Sequence, residues 1–454
     1  METCHRLRAI VASGLLGGLM ASAGATGDAN RDVPDPPGYH GTQLTGPLPA
    51  PFANEPANHP ARIVGWSGSE QPKAPKGFSV NLFAEGFEYP RWLYVLPNGD
   101  VLVSEARNGD GPPSPEEAAT GSSFAGESPD RITLLRPGES GRVAKQRVVL
   151  LTRDEGLHKP FGMAYFEGFL YVANCDAVVR YPFHPGDTQV SGAPKTLLGL
   201  APRGYHGHWA RNVVIHSASR KMYIGVGSDS NDAEHGMGLE GHRAVILEAN
   251  LDGSEERIYA GGLRNPQGMD WQPVTGVLFT SVNERDGFGD DLVPDYLTSV
   301  QPGGFYGWPY SYFGQHEDPN HRGERADLVQ RAIVPDVALG AHTASLGLVF
   351  CRSDRWPRKY WDGAFIGQHG SWNRSQFSGY QVAFVPFAPD GKPSGPPEAF
   401  LTGFVIDANA SHGRPCGVAM TRDGALLVAD DAGRRIWRVA PSDGPAQAAR
   451  VDAH

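Results

Sequence analysis

Five short runs of this sequence hold residues that could do chemistry together. The run YHGHWAR, residues 205–211, sets His206 and His208 just ahead of Arg211. Imidazole titrates near neutral pH, so either histidine suits removal of a hydroxyl proton. The run GGLRNPQG, 261–268, carries Arg264 and Asn265 at a turn into an apolar stretch. A guanidinium in that place suits holding a carboxylate or polarising a carbonyl. The run NERDGFGDDLVPDYL, 283–297, sets Glu284, Asp286, Asp290, Asp291 and Asp295 among glycines. Hard oxygen donors of this kind suit Ca²⁺, although EF-hand spacing is absent. A solvated acidic loop accounts for the same composition equally well. GQHGSWNRS, 367–375, and SHGRPCGV, 411–418, add Arg374 and Arg414. Both could be surface arginines; Arg414 is the stronger candidate because it immediately precedes an apolar strand.

The elements that must bring these runs together are strands. Among 454 residues there are 58 glycines and 38 prolines, and 40% of the chain is hydrophobic. Glycine and proline together make about a fifth of the chain, against a background near 12%. That composition is turn-rich without being disordered, and it favours many short strands. The formal net charge is −10, which argues against general nucleic-acid binding.

One phrase recurs: a small-residue turn, a short apolar strand, a polar turn and a second apolar strand. It is seen as YPRWLYVLPNGDVLVSEA from Tyr89, KPFGMAYFEGFLYVANCDAVVRYPF from Lys159 and ARNVVIHSASRKMYIGVGSDS from Ala210. It returns as RNPQGMDWQPVTGVLFTSVNERDG from Arg264, as SLGLVF from Ser345 with WDGAFIGQHGSW, and as RPCGVAMTRDGALLVADDAGRRIWRVA from Arg414. The anchors Pro90, Pro160, Arg211, Pro266, Leu346 and Pro415 stand roughly 65 residues apart on average, enough for four short strands and a loop. Alternation within the strands is incomplete, as expected where neighbouring sheets cover both faces. The expected fold is all-β, a six-bladed β-propeller with four-stranded antiparallel blades. In that fold the loops before the innermost strands meet at one mouth of the channel. Lys159, His208, Arg211, Arg264, Asn265, His342, His412 and Arg414 should converge there, and such a mouth suits an anionic ligand.

Residues 1–25 read as an export signal: Arg6 and Arg8, an apolar stretch to Met20, then small residues at Ala21 to Ala25. Residues 26–75 read as an exposed lead-in, 76–442 as the propeller and 443–454 as a tail. No other stretch approaches the ~20 apolar residues of a membrane span, so the expected location is periplasmic or secreted. With Cys4 in the leader, Cys175, Cys351 and Cys416 remain. Aligning Gly347 with Gly417 offsets Cys351 from Cys416 by roughly 16 Å along adjacent strands. A disulfide spans at most about 7 Å between Cα atoms, so none is expected.

The phrases GHWARNVV, YIGVGSDSN, GGLRNPQGM, NERDGFGDDLVPDYLTSVQPGGFYGWPYSY and GRPCGVAMTRDGALLVADD together resemble the glucose/sorbosone dehydrogenase family, and its sorbosone branch more than its glucose branch. These are soluble sugar dehydrogenases dependent on pyrroloquinoline quinone (PQQ). The resemblance implies a six-bladed propeller with PQQ at the channel mouth, where its three carboxylates would meet the cationic side chains. It implies an aldose or a sorbosone-like sugar aldehyde as substrate, with hydride passing to the quinone. His208 matches the family's base, with His206 as the fallback. Arg264 and Asn265 match the pair at the quinone oxygens. Asp229 matches a polar PQQ contact, Arg414 a carboxylate contact and Arg374 a weaker one. The backbone carbonyls of Arg285 and Asp286 would hold a PQQ-bound Ca²⁺. A second Ca²⁺ would take Asp290, Asp291 and the carbonyl of Tyr306. No haem-attachment motif occurs, so electrons would leave to a separate cytochrome or quinone acceptor. The loops 107–130 and 313–335 are expected to shape the mouth.

Two other classes compete. A Ca²⁺-dependent lactonase on a similar propeller needs channel carboxylates from several blades, and the expected mouth positions are Arg, His and Lys instead. A non-catalytic secreted propeller that binds carbohydrate would have no need of His208, Arg264 and Arg414.

Overall fold

The computed structural model describes residues 47–109, 126–200 and 207–442. The leader, the first part of the lead-in, residues 110–125 of the first mouth loop, His206 and the tail lie outside them. Strands dominate, and the α-helix among the described residues is the short Ala326–Arg331. No helix among them is long and apolar enough to cross a membrane.

Among the described residues, six sheets have four or more strands. Their inner strands are Pro90–Val95, Met163–Phe166, Arg211–His216, Pro266–Trp271, Ser345–Phe350 and Pro415–Met420. Each of these lies at the edge of its own sheet and pairs antiparallel with the strand that follows it. Each also packs against the next inner strand, and the last packs against the first, so the six close a ring. Every sequence anchor falls at, or within three residues of, the start of one of them. The arrangement is propeller-like, with antiparallel sheets set radially.

The weak alternation of the strands has its expected cause. Val101–Glu105, Leu278–Val282, Ala364–Gln368 and Leu426–Asp430 are buried at every residue. Each stands second in its sheet, with a neighbouring sheet on either face, so neither face tolerates regular exposure of polar side chains.

The ring closes through a strand far away in sequence. The sixth sheet takes its outer strand, Phe78–Glu85, from the start of the fold, and this strand pairs antiparallel with Arg435–Pro441. Phe78, Val80 and Leu82 pack with Trp437 and Val439 in one apolar cluster. The repeat unit beginning at Arg414 therefore needs only three strands of its own.

The described part of the lead-in, residues 47–75, is largely exposed but is anchored to the sheets at several points. Arg62–Ile63 pairs in parallel with Ala410–Ser411. Trp66 is buried, its indole donates to Asp430 Oδ2 at 2.6 Å, and it stacks on His412. His59 N donates to the Trp372 carbonyl at 2.6 Å, and Asn54 Oδ1 accepts from Asp290 N at 2.6 Å. Residues 47–75 thus form a strap across the sheets, held by hydrogen bonds that a reading of periodicity could not register.

Cys175, Cys351 and Cys416 are buried and none is in a disulfide. The strand alignment behind that expectation holds, since Gly347 lies against Cys416 and Gly417. A methyl group on Gly347 would collide with the Cys416 carbonyl oxygen, and one on Gly417 would stand 2.7 Å from the Arg91 carbonyl. Backbone thus touches backbone between successive inner strands. Gly347→Ala should therefore lower unfolding free energy by about 1–3 kcal/mol, the usual scale of overpacking. Denaturant unfolding checks this, and an unchanged midpoint would contradict the close approach.

Candidate active site

At the mouth of the ring lies a cavity of about 770 Å³. His208, Arg264, Asn265, His342 and Arg414 line it, as the convergence of the loops requires, and Asp229 and Asp286 join them. Three expected residues do not. Lys159 is buried and donates to the Asn108 carbonyl at 2.7 Å. His412 donates Nδ1–H to the Gly65 carbonyl beneath the strap. Arg211 is fully buried and donates to the His208 carbonyl at 2.5 Å, so it braces the histidine loop from below.

His208 is held in one tautomer. Its Nδ1 lies 3.1 Å from the Ser228 carbonyl oxygen, which only accepts, so Nδ1 carries the proton. The other nitrogen, Nε2, is left with its lone pair on a ring that lines the cavity. Burial, helped by the neighbouring Arg264 charge, pushes the imidazole pKa well below its ordinary value. His208 is therefore neutral at physiological pH and able to accept a proton.

Arg264 and Arg414 are fastened mainly by oxygens that carry no formal charge. Arg264 donates Nε to the Asn231 carbonyl at 2.9 Å, Nη1 to the Glu284 carbonyl at 2.7 Å and Nη2 to Asn231 Oδ1 at 2.9 Å. Its nearest carboxylate, Asp286, stands 3.9 Å away. Arg414 donates Nε to the His369 carbonyl at 2.9 Å and Nη2 to the Gly370 carbonyl at 2.6 Å. Carbonyls fix the geometry and leave most of the positive charge for a ligand.

The acidic run contributes differently from expectation. Asp286 is ionised: burial works against its charge, but His342 and Arg264 outweigh that and hold it at about 2. His342 donates Nε2–H to the Gly289 carbonyl at 2.8 Å and faces Asp286 through Nδ1. Glu284 and Asp295 also line the cavity, and burial pushes their pKa values up to about 8 and about 6. Asp295 accepts from the backbone of Glu284 and Ser345 and from the Thr343 hydroxyl. Asp229, buried at the wall, has no hydrogen-bond partner among the described residues on either carboxylate oxygen, and Arg243 Nη1 stands 3.8 Å off. With Glu234, five carboxylates of the described residues, from two adjacent sheets, line the cavity, so the mouth is mixed in charge rather than simply cationic.

The expected calcium ligands are not assembled as cages. The Asp286 carbonyl already accepts from the Arg285 guanidinium, at 3.2 Å to both Nε and Nη2, and from Asn231 Nδ2 at 3.1 Å. A cation there would face a guanidinium. Asp290 binds the backbone and hydroxyl of Ser375, and Asp291 pairs with Arg374 at 2.7 Å. The Tyr306 side chain packs in an apolar cluster with Tyr223, Leu263 and Tyr296. Arg374, committed to Asp291 and to the Asp290 and Gln376 carbonyls, does not line the cavity.

Sequence reading passed over Arg91 and His369, which both line it. Arg91 pairs with buried Asp431. His369 donates Nε2–H to the same carboxylate at 2.8 Å, and burial with the Arg414 charge pushes its pKa down to about 3. The signal for Arg91 was its place beside anchor Pro90. Of the second mouth loop, Asp318 binds Arg285 at 2.6 Å and Asn320 binds Asp232 at 2.7 Å, so it braces the wall from outside.

Glu284 supplies a test by pH. Its folded pKa, about 8, exceeds the ordinary 4.5, so the folded state binds the extra proton between those values. Its contribution to stability is then present below about 4.5 and lost as pH rises through about 8. Denaturant midpoints at pH 5 and pH 8.5 should show a smaller drop for Glu284→Gln than for the natural protein. Equal drops would place the Glu284 carboxyl in water.

Comparison with known proteins agrees with this architecture. Residues 195–371 match the family model described as Glucose / Sorbosone dehydrogenase, and residues 313–442 match one described as TrAA12-like. An uncharacterized protein of Borreliella burgdorferi is 27% identical over 380 residues, covering 81% of this chain and 90% of its own. The PQQ domain of pyranose dehydrogenase from Coprinopsis cinerea, in its holo form, superposes with a TM-score of 0.65 at 19% identity, over 82% of this chain and 98% of that one. A calcium structure of the Trichoderma reesei carbohydrate-active enzyme of family AA12 gives 0.67 at 18%, over 84% and 98%. PQQ-bound aldose sugar dehydrogenase from Streptomyces coelicolor gives 0.54 at 20%, over 81% and 99%. Over its central part, residues 195–371, the chain thus shows the resemblance to the glucose/sorbosone dehydrogenase family that its recurring phrases carry.

Proposed function

We propose that this protein is a PQQ-dependent oxidoreductase of an aldose or sorbosone-like sugar aldehyde, built as a six-bladed propeller. The observation that carries the reading is the pairing of a neutral His208, with its lone pair on Nε2, and two arginines held by carbonyls in one cavity. That donor set fits PQQ. The cofactor's carboxylates require fixed positive charge, which Arg264 and Arg414 supply. Asn265 and Asp229 stand in the same wall. The residues expected to bind calcium do not fit as cages, and no step is built on that ion.

PQQ would supply the two-electron oxidising group at this site. The chain's own residues bind, orient and move the proton. His208 Nε2 accepts the substrate hydroxyl proton. Ser228 fixes the ring through Nδ1, and Arg243 holds the Ser228 carbonyl at 2.8 Å. Arg264 stabilises negative charge as it develops at the wall. Trp209, almost wholly buried, and Trp372, half-exposed at the rim, bound the cavity and limit water. Electrons leave to a separate cytochrome or quinone. The reading of residues 1–25 as an export signal places the protein in the periplasm or outside the cell.

The five cavity carboxylates favour a second reading, the Ca²⁺-dependent lactonase, more than the sequence did. They come from two adjacent sheets rather than from around the ring, which keeps it second.

Purified apoprotein, given PQQ and a dye acceptor with and without Ca²⁺, is expected to oxidise an aldose or sugar aldehyde only when PQQ is present. Full activity with a nicotinamide and no PQQ would overturn the proposal. Lactone hydrolysis with Ca²⁺ and no dye reduction would establish the second reading. His208→Ala should lower kcat by ~10² or more while PQQ still binds, the scale of losing general-base catalysis. Arg414→Ala should weaken PQQ binding by roughly ten- to a hundredfold, from a charged hydrogen bond worth about 1.5–3 kcal/mol. Titration of PQQ fluorescence or absorbance against each variant reads both outcomes.

A further inference from the structure

A second cluster of reactive side chains stands apart from the cavity. His158, Cys175 and Asp176 each offer a donor atom, and these atoms lie within 4.8 Å of one another. None of the three lines the cavity. His158 belongs to the loop before the second inner strand, and Cys175 and Asp176 form the turn between Phe169–Ala173 and Ala177–Pro182. The two segments are clamped together. Cys175 N donates to the His158 carbonyl at 3.0 Å, and His158 N donates to Asn174 Oδ1 at 3.1 Å. Asn174 Nδ2 donates in turn to the Gly156 carbonyl at 2.9 Å, and Leu200 N to the Asp176 carbonyl at 2.8 Å. The donors are therefore positioned by backbone bonds, not by chance meeting of surface side chains.

We propose that His158, Cys175 and Asp176 form a binding site for a divalent transition metal of the zinc class, with one thiolate, one imidazole and one carboxylate ligand and an open fourth position. Zinc binds sulfur at about 2.3 Å and imidazole nitrogen at about 2.0 Å, so tetrahedral geometry puts those two donors about 3.5 Å apart. Cys175 Sγ stands 3.5 Å from His158 Nδ1. Asp176 Oδ2 stands 2.8 Å from the same nitrogen, and a shift of about half an ångström opens that edge to its coordinated length. The thiolate makes a calcium or magnesium ion a poor occupant, because those ions take oxygen ligands.

A buried positive charge adjoins the cluster. Arg211 is fully buried, and among the described residues its Nε and Nη2 have no hydrogen-bond partner. Its guanidinium lies within electrostatic range of Cys175 and Asp176. The thiolate is the form of cysteine that binds metal. The same Arg211 braces the His208 carbonyl, so the cluster adjoins the loop that carries the proposed base.

The test uses cobalt as the probe. The full chain, stripped with EDTA and dialysed, is titrated with Co²⁺ and then with Zn²⁺. A thiolate-to-cobalt charge-transfer band in the near ultraviolet should grow to one equivalent and be displaced by Zn²⁺. Cys175→Ser should abolish it. His158→Gln and Asp176→Asn should each weaken Co²⁺ binding by at least tenfold. Their side chains are 53% and 47% exposed, so these two variants keep the fold intact. Absence of the band in the natural protein overturns the proposal, and so does a band that survives Cys175→Ser. Unchanged affinity in both His158→Gln and Asp176→Asn overturns it as well.

Discussion

Everything at the mouth depends on contact between the backbones of successive inner strands. Gly347 against Cys416 and Gly417 against Arg91 and Trp92 are two points of that contact. Because glycine carries no side chain at these points, the strands approach closely and the loops that precede them are drawn to a narrow rim. His208, Arg264, His342 and Arg414 come from four different sheets and still share one cavity. A wider spacing would leave the same residues as separate surface charges. The closing strand Phe78–Glu85 completes the ring by pairing with Arg435–Pro441, which joins the two ends of the fold.

The site's electrostatics follow from which oxygens hold the arginines. A buried guanidinium paired with a carboxylate is neutralised, as Arg91 is by Asp431. Arg264 and Arg414 hang on carbonyls and keep more of their field. The Arg264 charge helps keep His208 neutral and Asp286 ionised. The opposite trend holds for Glu284, whose burial outweighs its attraction to Arg264 and keeps a proton on it into the neutral range. Neutral base, ionised Asp286 and protonated Glu284 thus coexist in one cavity because each meets a different balance of burial and nearby charge. The metal cluster at His158 draws on the same element from the other side, since Arg211 meets both the His208 carbonyl and the Cys175 turn.

Much of this was legible in the chain by itself. Recurrence of one phrase located all six inner strands, because a strand that must pack both backbone and apolar side chains against its neighbours constrains residue type at every position. The loops before those strands named His208, Arg264, Asn265 and Arg414, since topology alone brings such loops to one rim. The cysteine offset followed from strand register, which is a matter of counting residues. What only the tertiary structure decided was where polar side chains find their partners. Arg374 was taken by Asp291, Lys159 by the Asn108 carbonyl and His412 by the strap. The acidic run divided into Glu284, Asp286 and Asp295 facing the cavity, and Asp290 and Asp291 binding Ser375 and Arg374. Arg91 reached the cavity from the first sheet, and the lead-in folded across the disc. Hydrogen bonds and ion pairs of this kind join residues up to hundreds of positions apart, and their geometry is set by the closed ring. Periodicity records only which face of a strand is buried, so it carries the scaffold and leaves the pairing of charges to the fold.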